Sequence, residues 1–116
     1  MVSDDVRNEL CRLARSRKTR THVFSKTRPT HWAPYELRDP GSGDTFTSDS
    51  AWEFVADLIE GGVEINTIVL DVPAGKAGYV IKVDGAGGDR IYIKLQLSSG
   101  MVVGRSFHAS RNEDEK

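Results

Sequence analysis

The sequence predicts an α+β domain of two layers, in which two helices pack on one face of a four-stranded antiparallel sheet. Two segments, near residues 4–18 and 50–60, repeat apolar residues with a helical period. Four later segments alternate apolar and polar residues, and the connections between them are too short for a helical crossover. The chain of 116 residues is long enough for one domain with its own core.

The first helix is predicted to run from Asp4 to about Lys18. Its apolar stripe consists of Val6, Leu10, Leu13 and Ala14. Ser3 is the predicted N-cap, because a serine hydroxyl accepts a hydrogen bond from an unpaired N–H of the first turn. Acidic residues follow it and basic residues come later, which is the order that the helix dipole favours.

The second helix is predicted to begin after Ser50. Ser50 and Glu53 have the spacing of a capping box, and Gly61-Gly62 supplies a C-terminal stop. The apolar residues of this helix are Trp52, Phe54, Val55, Ala56, Leu58 and Ile59. They occupy most of its circumference, so we expect this helix to lie against the sheet.

Residues 19–47 show no sustained period and contain three of the four prolines. We therefore expect a long irregular loop, of a length that usually signals function or disorder. Its aromatic residues, Trp32 and Tyr35 among them, have two interpretations: they stack on bases, or they pin the loop onto the core. The tail at 111–116 is expected to be disordered.

The predicted strands are residues 67–72, 78–84, 90–97 and 101–109. Side chains in a strand alternate between faces, so a meander of these strands places one polar set opposite the helices. The polar side chains expected on this open face are Lys82, Tyr92, Lys94, Gln96, Ser106 and His108. Arg105 alternates onto the covered face with Val103 and Phe107, unless a bulge at Gly104 redirects it.

These side chains suit chemistry on a phosphate. Lys82 and Lys94 can bind phosphate oxygens and stabilise a transition state, and His108 suits general acid or base catalysis. The alternative is that each is an ordinary solvated side chain. The chain's histidines and its single cysteine have no metal-ligand spacing, so we expect neither a metal nor a cofactor.

Charge is uneven along a chain whose formal net charge is only −1. Seven basic residues and no acidic residue lie between positions 12 and 28: Arg12, Arg15, Arg17, Lys18, Arg20, Lys26 and Arg28. This run is either a solvated face or a binding surface for RNA phosphates, for which the candidates are Arg15, Arg17, Lys18, Arg20, Lys26 and Arg28.

The sequence also argues against membrane insertion and export. One cysteine allows no disulfide framework, and no apolar run is as long as a membrane span. The N-terminus is acidic where a signal peptide is basic and then apolar. We therefore expect a cytoplasmic protein that has no membrane partner.

Four segments carry a family resemblance: AWEFVADLIE at 51–60, PAGKAGYV at 73–80, IYIKLQL at 91–97 and GRSFH at 104–108. The chain resembles, over roughly residues 47–110, small bacterial proteins grouped with the MqsR-type toxins of the RelE-like superfamily. The resemblance implies a RelE-like fold and a metal-independent endoribonuclease that cuts mRNA and is held inactive by a cognate antitoxin. The site positions that it implies are Lys76, Tyr79, Lys82, Lys94, Gln96 and Arg105.

The function expected from the sequence is thus cleavage of mRNA by attack of a 2′-hydroxyl on the adjacent phosphate. The residues expected to carry it are Lys82, Lys94, Gln96, Arg105 and His108, and those expected to bind RNA include Lys76, Tyr79, Tyr92 and Ser106. The alternative is a non-catalytic module that binds RNA or protein with the open face and the basic loop. Besides mRNA, the expected partners are the antitoxin and, as a further option, a second copy of the chain.

Overall fold

A computed structural model describes residues 2–22, 30–71, 74–85 and 90–110. The elements, in chain order, are α1 (Asp4–Ala14), β1 (Arg20–Thr21), β2 (His31–Trp32), a 3-10 helix (Pro34–Glu36), α2 (Ser48–Glu60), β3 (Asn66–Val69), β4 (Ala77–Asp84), β5 (Arg90–Ser98) and β6 (Met101–Ala109). Neither α-helix among these described elements is long and apolar enough to cross a membrane.

Within the described residues the sheet has six strands, not the four that the sequence predicts. Its order is β1-β6-β5-β4-β3, and β2 also pairs with β6. The strands β3 to β6 form the predicted antiparallel meander. The two additional strands run parallel to β6. Each has only two residues, too few to show alternation, so the sequence offered no signal for them within the predicted loop.

α1 begins where the sequence predicts but ends four residues early. The Ser3 hydroxyl accepts a hydrogen bond from the Val6 N–H at 3.2 Å, as expected of an N-cap. At the other end, the Thr19 hydroxyl donates to the Leu13 carbonyl at 2.9 Å, and the Arg20 guanidinium donates to the Ala14 carbonyl at 2.8 Å. The two side chains thus donate hydrogen bonds to carbonyls at the end of α1, which would otherwise have accepted from the N–H groups of a further helical turn.

α2 begins at Ser48, and its N-cap is Thr47, not Ser50. The Thr47 hydroxyl accepts from the Ser50 N–H at 3.0 Å, and the Ser50 hydroxyl accepts from the Thr47 N–H at 2.8 Å. The predicted capping box of Ser50 and Glu53 is therefore wrong: Ser50 is the third helical residue of the observed box. The helix ends at Glu60, and Gly62 adopts the left-handed conformation expected of a stop (φ +92°).

The core lies between the two helices and one face of the sheet. Its helical residues include Leu10, Leu13, Trp52, Val55 and Ile59. On the sheet, Ile81, Ile93 and Phe107 are cross-strand neighbours, and all are fully buried. The two-layer α+β arrangement predicted from the sequence is thus observed.

A bulge in β6 changes which residues face the helices. Leu95 pairs with Gly104 and Lys94 with Ser106, so Arg105 lies between two paired positions. Because the extra residue reverses the alternation, Val102 lies on the helix-covered face and Val103 on the opposite one. The prediction that Val103 and Arg105 share a face with Phe107 is wrong. A bulge beside Gly104 redirects Arg105, the outcome that the glycine suggested.

The segment after β2 is attached to the core by one tryptophan. The Trp32 ring stacks on Trp52 with 4.7 Å between centroids and meets Phe107 edge-on at 5.2 Å. Trp32 thus pins the chain onto the core, one of the two interpretations left open. Tyr35 behaves differently, since 66% of it is exposed. The predictions for Lys26, Arg28 and the tail at 111–116 concern residues outside the described ranges.

Candidate functional site

The sheet register brings three side chains into one row across the face opposite the helices. Lys82 of β4 is paired with Tyr92 of β5, which is paired with His108 of β6. The rings of Tyr92 and His108 stack with centroids 5.3 Å apart and planes at 20°. The Lys82 ammonium lies 5.9 Å from the centre of the Tyr92 ring, within the range of a cation–π interaction.

His31 extends this row from the neighbouring strand. β2 pairs with β6 so that His31 is opposite Ser106, and the His31 ring meets the His108 ring edge-on at 6.4 Å. The sequence did not predict this residue as part of the site, because His31 lies within residues 19–47, which were expected to form an irregular loop. The two-residue strand gave no signal by which His31 could have been found. We call Lys82, Tyr92, His108 and His31 the polar row.

The sequence-predicted residues beside the polar row differ in how much solvent they meet. Ser106, paired with Lys94, is nearly buried, whereas Lys94 itself is half-buried. Arg105 and Gln96 are 5% and 4% exposed, and the Arg105 guanidinium donates to the Gln96 side-chain oxygen at 2.7 Å. The bond between them holds the guanidinium in a fixed direction. Tyr92, predicted to lie on an open surface, is likewise only 4% exposed, and Val103 on the same face is fully buried. The prediction of an open face is therefore wrong for the buried residues, Tyr92, Gln96 and Ser106. Lys82, by contrast, is exposed, and Lys94 and His108 are half-buried.

Two residues that the resemblance implied lie away from the polar row. Tyr79 is partly buried against the core on the helix-covered face. It therefore does not join the other predicted RNA-binding residues, and its position follows the strand alternation. Lys76 is exposed and immediately precedes β4.

Three arginines of the basic run, Arg15, Arg17 and Arg20, are paired with the acidic side of α2. Arg15 forms ion pairs with Glu53, Asp57 and Glu60, at 2.9, 2.9 and 2.6 Å. These carboxylates, Glu60 and Asp57 foremost, raise the pKa of Arg15 further above its already high value.

Two further arginines of the run share one carboxylate. Arg17 and Arg20 both pair with Asp49, and the side chain of Arg20 is only 6% exposed. The expectation that Arg20 is an accessible RNA contact is therefore wrong. In the described part of the run, Lys18 is an exposed side chain in the turn after α1.

The remaining described histidine, His22, is partly buried and packs against Trp32 and Trp52. Its ring stacks on Trp32, and its Nδ1 accepts a hydrogen bond from the Trp52 indole N–H at 3.4 Å. Burial, and secondarily the charge of Arg20, lower the pKa of His22. His22 is therefore held neutral, as the acceptor role requires.

Comparisons with known proteins assign neither a family nor a function to this chain. Comparison with protein-family models, with curated proteins and with solved structures finds no match. Within the described residues, no group of three histidine, cysteine or carboxylate side chains is placed to hold a metal ion. The polar row is therefore the arrangement from which a function can be argued.

Proposed function

We propose that this protein is a metal-independent endoribonuclease whose site is the polar row. The observation that carries the proposal is the placement of two histidines, His31 and His108, with ring centroids 6.4 Å apart, in the same row as the exposed Lys82, from which Tyr92 separates them. Cleavage of RNA without a metal needs one group to accept a proton, another to donate one, and a cation to stabilise the phosphate. The row offers side chains for all three roles.

In the proposed reaction, the 2′-hydroxyl oxygen bonds to phosphorus while the bond from phosphorus to the 5′ oxygen breaks. One histidine accepts the 2′ proton and the other donates a proton to the 5′ oxygen. The products are a 2′,3′-cyclic phosphate and a 5′-hydroxyl. Lys82 and Lys94 bind the phosphate oxygens as negative charge develops, and Tyr92 holds the His108 ring by stacking.

Arg105 has a different role in this proposal. Its bond to Gln96 fixes the guanidinium on the face of β5 that also carries Lys94, so Arg105 adds a fixed positive charge to this face. Gln96 is then a positioning residue and not a group that touches the substrate.

The test is cleavage of a labelled RNA by purified protein in the presence of a chelator, with detection of cyclic phosphate termini. His31→Ala and His108→Ala should each lower the rate by about 10²- to 10⁴-fold, the usual contribution of a general acid or base. If the two act as a unit, the double variant should be little slower than either single variant. Glu64→Gln, an exposed change near β3, is the matched control.

Each variant also needs an unfolding curve, so that a lost fold is not mistaken for lost catalysis. RNA binding without any cleavage would reject the endoribonuclease and favour the non-catalytic module. Full activity in both single variants would remove the histidines from the mechanism.

The family resemblance supports a biological setting for this activity. We include in the proposal that the protein is the toxin of a type II toxin–antitoxin system, with mRNA as substrate and an antitoxin as partner. Inducing the chain in bacteria should arrest growth, and His108→Ala should relieve the arrest at equal expression. Unimpaired growth under wild-type induction would reject the toxin role.

We further propose that an acidic segment of the antitoxin covers the face that carries Lys82 and Lys94. Hydrogen exchange on the complex should then show protection in β4 and β5. Protection confined to α1 and α2 would rule out direct coverage of the site.

A further inference from the structure

A cleft adjoins the polar row on the side of β2. It has a volume of about 520 Å³ and lies between β2, the 3-10 helix and the end of β6. Pockets for small molecules usually have ~300–1,000 Å³, a range that includes space for a nucleoside. Its lining includes His31 and His108 of the polar row together with Tyr35 and Glu36 of the 3-10 helix. A phosphate held at the two histidines would therefore have its own nucleoside next to this cleft.

Tyr35 is an exposed aromatic ring on a fixed support. The 3-10 helix that carries it is anchored to β6, because the Ala33 N–H donates to the Phe107 carbonyl at 2.9 Å. Pro34, beside Tyr35, is buried, yet 66% of Tyr35 itself is exposed. The core does not use this ring. Exposed aromatic rings beside single-stranded RNA bind bases by stacking.

Glu36 adds a selective group to the lining of the cleft. Its carboxylate is exposed, and across the described ranges no lysine, arginine or histidine lies within ion-pair distance of it. An ionised carboxylate only accepts hydrogen bonds, through two oxygens side by side. Guanine is the RNA base that presents two adjacent donors, N1–H and the N2 amino group, on its Watson–Crick edge. Adenine, cytosine and uracil each place an acceptor beside the donor on that edge.

We propose that this cleft is a guanine-binding subsite next to the scissile phosphate, in which Tyr35 stacks on the base and Glu36 accepts from its N1–H and N2–H groups. The placement of the subsite rests on the proposed function, since it assumes that the phosphate lies at His31 and His108. The choice of base rests on Tyr35 and Glu36 alone.

The first experiment measures single-turnover cleavage of short RNAs that differ at one position beside the scissile bond. The position carries guanine, inosine or adenine, and all other bases are kept constant. Guanine should be cleaved about 10- to 100-fold faster than adenine, because a site built for two donors rejects a base that lacks them. Inosine keeps N1–H but lacks the amino group, so its rate should fall between the two.

The matched variants separate the two contacts. Glu36→Gln should bring the ratio of the guanine and adenine rates close to one, because an amide offers one acceptor and one donor. Tyr35→Ala should slow cleavage beside every base by a similar factor, whereas Tyr35→Phe keeps the ring and should keep most of the rate. Glu64→Gln, remote from the cleft, should leave both the ratio and the rate unchanged.

A binding measurement makes the inference independent of catalysis. Trp32 also lines the cleft, so its fluorescence can report titration with guanosine 3′-monophosphate or adenosine 3′-monophosphate. Tighter binding of the guanosine nucleotide that is lost in Glu36→Gln supports the subsite, even if the protein cleaves no RNA and the proposed function fails. Equal binding of both nucleotides, or cleavage that ignores the base and the Glu36 variant, overturns the subsite and leaves the endoribonuclease standing.

Discussion

Gly104 has no side chain, and this leaves room for the Trp32 ring to pack against its backbone. A Cβ added there would lie 2.5–2.9 Å from three atoms of the Trp32 ring, whose own position is fixed by Trp52 and Phe107. Gly104→Ala should therefore lower the free energy of unfolding by about 1–3 kcal/mol, the usual cost of overpacking. Urea unfolding followed by tryptophan fluorescence measures the loss.

The matched control is Gly41→Ala, where the new Cβ would meet only the Asp39 side chain, at 3.3 Å. Gly41 is exposed, and a shift of the half-buried Asp39 carboxylate by a few tenths of an ångström relieves the contact, so this variant should stay within about 0.5 kcal/mol of the wild type. Similar losses in both variants would mean that the close approach of Trp32 is not what requires Gly104.

His22 should make stability depend on pH. Burial lowers its pKa in the folded state, so below the ordinary histidine value of about 6.5 the unfolded chain binds more protons. The stability tied to His22 is thus fully present above that value and is lost as the pH falls towards the lowered pKa. Urea midpoints measured on both sides of the ordinary value should show this loss in the wild type.

Two variants identify the histidine responsible. His22→Gln keeps an acceptor for the Trp52 indole but cannot titrate, so the acid-dependent loss should shrink. His31→Gln changes an exposed ring and should keep the loss. An unchanged pH dependence in His22→Gln would show that other groups cause it.

For single residues, the sequence predicted the correct face of the sheet where the strand is long. Lys82, Lys94 and His108 were placed on the correct face because alternation over eight or nine residues determines the face. The face on which Arg105 lies depends on a bulge. Gly104 suggested this bulge, whereas strict alternation would have placed Arg105 on the helix-covered face. His31 could not be found, because its strand is defined by pairing with β6 and not by its own sequence.

Among the elements, α2 gives the sharpest test of a helix boundary. Ser50 and Glu53 match the residue types of the usual capping box, whereas the observed box has Ser50 where Glu or Gln usually stands, so the sequence pattern favoured the wrong pair. In the structure Glu53 instead pairs with Arg15 and Arg20. The Glu53 carboxylate thus serves the contact between α1 and α2 and not the N-terminus of α2.

Thr47→Ala should lower the free energy of unfolding by about 0.5–2 kcal/mol, because the Ser50 N–H loses its acceptor. Ser48→Ala changes an exposed residue one position later and should cost less than about 0.5 kcal/mol. Thermal unfolding followed by circular dichroism compares the two. A larger loss in Ser48→Ala than in Thr47→Ala would contradict Thr47 as the N-cap.

For the whole molecule, charge pairing between α1 and α2 changes where RNA affinity should come from. Arg17 is engaged by Asp49, whereas Lys82 lies exposed in the polar row. Under the proposed function, Lys82→Gln should reduce the slope of log affinity against log salt by about 0.7, the value for one single-strand phosphate contact. Arg17→Gln should leave that slope unchanged. Fluorescence anisotropy of a labelled RNA over a salt series measures both slopes. A flatter slope in Arg17→Gln would show that the basic run contacts RNA phosphates.

The position of β6 determines when the molecule can exist as a folded unit. β6 hydrogen-bonds to β1, β2 and β5, and it is the last of the described strands to be synthesised. A growing chain that has not reached Met101 has no partner for β1 or β2 and lacks Phe107 in its core. Contacts between such distant parts of a chain form late and slowly. Because β6 also carries His108, a chain arrested before this strand would lack both the closed core and the complete polar row, so any activity of the row has to wait until translation has passed it.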